Sequence, residues 1–107
     1  MTDFQDRERA EERKYAMDEE TTFRIAARSN KLLGLWAAAK MGLTPEETEA
    51  YAKSVVQADF EESGHEDVIR KVLGDLVGAG IDIDEAGVRT ALEEKTVEAR
   101  RQLMGEV

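Results

Sequence analysis

From residue 21 onward, apolar side chains recur at three- and four-residue steps, the spacing of helices that bury one face. Phe23, Ala26, Ala27, Leu32, Leu33, Leu35, Trp36, Ala37 and Met41 form the first such stripe, and Gly42 offers it a C-terminal stop. Thr44-Pro45-Glu46-Glu47 is the clearest start signal in the chain: Thr44 can cap, Pro45 suits the first helical position, and Glu47 completes a reciprocal capping box. The helix it opens carries Tyr51, Ala52, Val55, Val56, Ala58 and Phe60 until Ser63-Gly64 breaks the run. Ser63 precedes Glu66 by three, a second capping-box spacing. Val68, Ile69, Val72, Leu73, Leu76 and Val77 then make the most apolar face in the chain, the expected centre of the fold. Gly78 and Gly80 end this third helix, and Asp82 or Asp84 can cap a fourth bearing Val88, Ala91, Leu92, Ala99 and Leu103. The alternation in Gly80-Ile81-Asp82-Ile83-Asp84 is too short for a strand and reads as a loop with two buried isoleucines.

Four amphipathic helices with short connections predict an all-α, antiparallel four-helix bundle over residues 21–107. Residues 1–20 break the pattern. Their apolar content cannot make a continuous face, while Asp3, Arg7 and Glu11 stand one helical turn apart. Such pairs give ~0.2–0.5 kcal/mol each, too little to fix an isolated helix whose nucleation is costly. The expectation is a mobile, partly helical N-terminal arm, which can run on into the first core helix.

Composition narrows the functional classes. Twenty-four acidic against fifteen basic residues leave a formal charge of −9, which repels nucleic-acid phosphates and anionic headgroups, so neither nucleic acid nor direct membrane insertion is expected. The apolar run at residues 32–39 is interrupted by Gly34 and falls far short of the ~20 residues that span a bilayer. There is no cysteine, which removes disulfides and thiolate metal sites, and the first residues lack the apolar core of a secretory signal. The expected compartment is the cytoplasm.

Candidate chemistry is thin. His65 is the single histidine; a zinc site there would need Glu61 or Glu62, and beside a helix start it reads as a solvent-facing first-turn residue. Asp82, Asp84, Gly87 and Glu93 approach calcium-loop spacing, but Ala86 supplies no side-chain oxygen and Arg89 stands where an apolar residue belongs. The aspartates therefore read as helix caps. Gly34 and Gly74 read as points of close helix approach. Arg28, Lys31 and Trp36 could stack and pair with a nucleotide, yet Trp36 sits at core spacing and reads as packing. Arg70 and Lys71 read as the solvated edge of the third stripe. No enzyme, cofactor or metal site is expected. What remains is the arm, free of Gly and Pro, where Phe4 and Tyr15 flank interleaved charges in a segment suited to folding on a partner.

Two segments, FQDRERAEERKY at residues 4–15 and FRIAARSNKLLGLWAAAKMG at residues 23–42, resemble the zeta-subunit family of alphaproteobacterial ATP synthase inhibitors. The likeness continues through LTPEETEAYAKSVVQADFEESGHEDVIRKVLGDL at residues 43–76 and into the last helix. The resemblance implies a four-helix bundle whose N-terminal segment, residues 1–20, inserts at a catalytic alpha/beta interface of the F-type ATP synthase head near gamma, blocking ATP hydrolysis while largely sparing synthesis. That would hold a cytoplasmic protein peripherally at the inner membrane. It carries the inhibitory region onto Phe4, Asp6, Arg7, Glu8, Arg9, Glu11, Arg13, Lys14 and Tyr15. In mode, though not in fold, the family is similar to the mitochondrial inhibitor protein. The competing reading of the residues alone is a helical adaptor that docks a partner through a bundle face.

Overall fold

The computed structural model describes residues 2–59 and 65–105, with side chains for residues 19–59 and 65–105. Its order is α1 (Thr2–Met41), α2 (Pro45–Ala58), α3 (Glu66–Gly78) and α4 (Glu85–Met104), with no strand among the described residues. The fold is an all-α four-helix bundle, as the sequence predicts.

The helix ends follow from their own residues. At the end of α1 the Leu43 N–H donates to the Ala38 carbonyl and the Gly42 N–H to Ala39. Gly42 makes this closure at φ +71°, a conformation that costs a side-chain-bearing residue energy. Gly80, at φ +84°, closes α3 in the same way, with Ile81 reaching back to Leu76. The capping box at α2 forms in full: Thr44 Oγ1 accepts from the Glu47 N–H at 3.1 Å, and Glu47 Oε1 accepts from the Thr44 N–H at 2.9 Å. Of the two candidate caps for α4 it is Asp84 that serves, accepting from the Gly87 N–H at 2.9 Å.

The second expected capping box rests on Ser63 and so falls outside the described residues. α3 begins at Glu66, two residues later than that box requires, and its N-cap is His65, which makes no side-chain cap. Glu66 is engaged elsewhere, accepting both arms of the Arg89 guanidinium from α4 at 2.6 and 3.0 Å.

Leu33 and Ala37 of α1, Val55 of α2, Val68, Ile69, Val72 and Leu76 of α3, and Val88, Ala91 and Leu92 of α4 form one buried cluster. Sealing a branched side chain of this kind contributes ~1.5–3 kcal/mol before the cost of ordering it. α3, the expected centre, meets all three other helices, and so does α1, which packs the most extensively, on α2 and α4. Small residues explain this: at Gly34, Ala37 and Ala38 the surface of α1 is nearly flat, so its neighbours approach closely. A Cβ added at Gly34 would lie 2.8 Å from the Ala52 Cα. Gly74, given the same role from sequence, faces open space instead.

Three residues assigned to the core prove exposed: Phe23 (55%), Val77 (55%) and Leu103 (37%). Ile81 and Ile83 are half-buried and pack against the cluster from the loop. A Cβ at Gly87 would meet Ile83 Cγ1 at 2.8 Å, so a side chain there would displace Ile83.

Polar groups pin the bundle in two places. Tyr51 donates to Asp75 Oδ2 at 2.8 Å, joining α2 to α3, and Lys71 shares that oxygen at 3.2 Å. Burial, then the neighbouring carboxylate, pushes the Tyr51 phenol well above its ordinary value. The Arg89–Glu66 fork joins α3 to α4.

One buried group is left over. Asn30 is 1% exposed and neither its amide nitrogen nor its oxygen has a hydrogen-bond partner, whereas neighbouring Ser29 donates to the Ile25 carbonyl at 2.6 Å. An orphaned buried amide costs its full desolvation. Asn30→Leu keeps the forked shape and removes both polar atoms. It is expected to raise the free energy of unfolding in urea by ~1–3 kcal/mol; a loss of stability would refute the orphan assignment.

Candidate functional site

The backbone of α1 runs unbroken from Thr2 to Met41, so the segment singled out from sequence and the first core helix are one helix. The side chains of Phe4, Asp6, Arg7, Glu8, Arg9, Glu11, Arg13, Lys14 and Tyr15 lie outside the described residues, as does the expected mobility of the arm. The described part of α1 shows where its burial starts. Glu19 and Glu20 are exposed, Thr21 and residues 25–27 are half-buried, and Ser29 is the first buried side chain. Glu20 pairs with Arg24 at 3.1 Å, but at 65% and 75% side-chain exposure the pair adds little.

The rest of the described surface offers no catalytic arrangement. The hydroxyls of Ser29, Ser54 and Thr96 each donate to a backbone carbonyl of their own helix, at 2.6, 2.6 and 2.8 Å, rather than facing a base. His65 is exposed at the start of α3. Among the described residues no three His, Cys, Asp or Glu side chains gather as a metal site. In the calcium-like stretch, Asp84 Oδ1 is committed to its helix cap, and Glu85 pairs with Arg89 at 2.7 Å.

Glu66 shows how local electrostatics is spent. The hydrogen bonds from Arg89 lower its pKa from the ordinary 4.5, with smaller help from the charges of Arg89, Arg70 and His65. Its folded value being depressed, the carboxylate stabilises the fold above the unfolded value and that contribution is lost as pH falls through the folded value. Arg89→Gln is therefore expected to lower the urea midpoint at pH 7, with the difference from the wild type closing as pH is taken downward from 4.5. A difference that stays constant across that window would show that the fork is electrostatically idle.

Trp36 is half-buried against the core with Lys40 5.1 Å from its ring centroid, and it does not line the hollows bordered by Lys31 and Arg28. The nucleotide-stacking trio considered from sequence is thus not assembled. Sequence reasoning missed a different grouping. Arg24, Arg28 and Lys31 follow one another at four- and three-residue steps on α1, and Lys53 of α2 borders the hollow that Lys31 shares. The stripe on α1 is legible in the sequence, whereas Lys53 joins it only through the packing of α2 on Gly34.

A family model described as ATPase inhibitor subunit zeta matches residues 1–102. A solution NMR structure shares 53% sequence identity at a TM-score of 0.68, covering 79% of this chain and 96% of that one. No curated protein matches the chain.

Proposed function

The chain belongs to the ATPase inhibitor subunit zeta family, and from that premise we propose that it blocks ATP hydrolysis by the F-type ATP synthase through its N-terminal arm. The observation that carries the reading is the extent of the family match, which takes in the arm as well as the bundle. The continuity of α1 supports it, since a segment already in line with a packed helix orders at lower entropic cost than a free tail.

In this reading the arm enters a catalytic alpha/beta interface near gamma, with Phe4 and Tyr15 as apolar anchors and Asp6, Arg7, Glu8, Arg9, Glu11, Arg13 and Lys14 as the charged contacts. A rotary enzyme opens and closes each catalytic interface in turn, so a helix wedged in one stops turnover by blocking the next state. The inhibitor itself performs no chemistry. The protein works on the cytoplasmic side, held at the inner membrane through the enzyme; none of the described helices is long and apolar enough to cross a membrane.

A wedge that tightens when rotation closes its interface and is expelled by the opposite rotation acts in one direction. In coupled vesicles bearing the matching ATP synthase, the purified chain is expected to suppress hydrolysis while leaving most synthesis intact. Equal loss of both activities would defeat the one-way wedge; no loss of either would defeat the inhibitory reading.

A further inference from the structure

We propose that the crevice between α1 and α2 is a second docking surface, taking an acidic amphipathic helical segment of the inhibited enzyme alongside the arm. The proposal rests on the inhibitory reading for the identity of the enzyme, and on the crevice itself for the chemistry of the segment. Two open hollows, of ≈ 550 and ≈ 380 Å³, share Lys31 and Val56 as walls and so run into one another along α1. Their apolar walls come from Phe23, Ala27, Ala50, Ala52, Val56 and Leu103. The short side chains of Ala27 and Ala50 let a second helix backbone come close, with Phe23 and Leu103 as larger apolar contacts at one end. From Arg24 to Lys31 α1 rises ~10 Å, enough to seat about two turns of helix.

Charge selects the occupant. Arg28, Lys31 and Lys53 border the hollows and form no ion pair among the described residues, while Glu49 is the one acid on the described rim. In a chain of net charge −9 this is a local reversal of sign. A helix with apolar residues three and four apart, flanked by Asp or Glu, satisfies both wall and rim. A second copy of the chain brings nine more negative charges toward nine, which opposes self-association. Location strengthens the case, because the crevice lies on the same helix as the arm: a contact here would set the angle at which the arm enters its cleft.

The chain has no cysteine, so a single introduced thiol reports accessibility without interference. The full-length Ala50→Cys variant is labelled with a maleimide alone and with excess ATP synthase head, with Glu94→Cys on the exposed surface of α4 as reference. Labelling at position 50 is expected to slow by about tenfold or more in the complex, and at position 94 to change little. In parallel, the triple variant Arg28→Glu, Lys31→Glu, Lys53→Glu is expected to need ~10-fold more protein for half-maximal inhibition at low salt. That gap should narrow at high salt, with full inhibition still reached at saturation.

A chain that inhibits normally while position 50 labels at its free rate overturns the crevice and leaves the inhibitory reading standing. Protection of position 50 in a complex that still hydrolyses ATP upholds the crevice and removes the arm's role. Equal protection at positions 50 and 94, an unchanged inhibition curve for the triple variant, or slower labelling as the free chain is concentrated would each overturn the proposal, the last by identifying a second copy as the occupant.

Discussion

Deleting residues 1–19 is expected to abolish inhibition of ATP hydrolysis, even at roughly 100-fold the concentration at which the full chain saturates, a loss of at least ~2.7 kcal/mol of binding. The truncated chain should still melt cooperatively, within ~1 kcal/mol of the full chain. The asymmetry follows from where burial starts. No described side chain of α1 before Ser29 is buried, and the packed cluster begins at Leu33. The cut leaves Glu20 at the new helix start, where a negative charge is favourable against the helix dipole. Inhibition is measured on the isolated enzyme head and folding by thermal melting of the same samples. A truncation that still inhibits would move the inhibitory surface onto the bundle. One that no longer melts cooperatively would make the arm part of the fold.

How legible the molecule was depends on the range of the interactions involved. Signals contained within one turn were readable: Thr44 with Glu47, Gly42 and Gly80 as left-handed closures, and Asp84 as a cap each involve residues within five positions of one another. The apolar stripes gave four helices and their order for the same reason. Failures came where a residue's role is set by another helix. Gly34 and Gly74 look alike in sequence, yet one abuts Ala52 and the other faces open space. Glu66 carries capping-box spacing, yet its carboxylate is taken by Arg89, twenty-three residues away. Phe23 and Leu103 keep core spacing at ends of stripes where the neighbouring helices no longer cover them.

The candidate site divides along the same line. Nothing in the periodicity of residues 4–15 says what they bind; the role proposed for them rests on the family match that takes them in. The basic stripe on α1 could be read from sequence, but its meaning comes from the apolar walls that α2 and α4 place beside it. Trp36 made a misleading partner for that stripe because residue spacing alone does not separate a ring turned toward the core from one lining a groove.

Gly34 is where fold and candidate surface depend on the same atom, and its substitution is expected to have the largest effect on stability. Gly34→Ala would gain ~1 kcal/mol of helix propensity. Against that, its Cβ would fall 2.8 Å from the Ala52 Cα and 3.3 Å from Val55 Cγ2. The first collision is with backbone, so no rotamer change relieves it, and overpacking of this kind costs ~1–3 kcal/mol. The net expectation is a loss of up to ~2 kcal/mol for Gly34→Ala, and of ~3 kcal/mol or more for Gly34→Val, whose two further methyls enlarge the clash. Ala52→Gly should not rescue either variant, because it removes the Cβ and leaves the Cα in place. Gly74→Ala supplies the opposite sign: with nothing within 4 Å of its Cβ, only the propensity gain of ~0.5–1 kcal/mol remains. Urea denaturation of the set decides the matter. If Gly34→Ala stabilises the chain as much as Gly74→Ala, α1 and α2 are not held in close contact, and the crevice they form beside Lys31 and Lys53 loses the rigidity a docking surface needs.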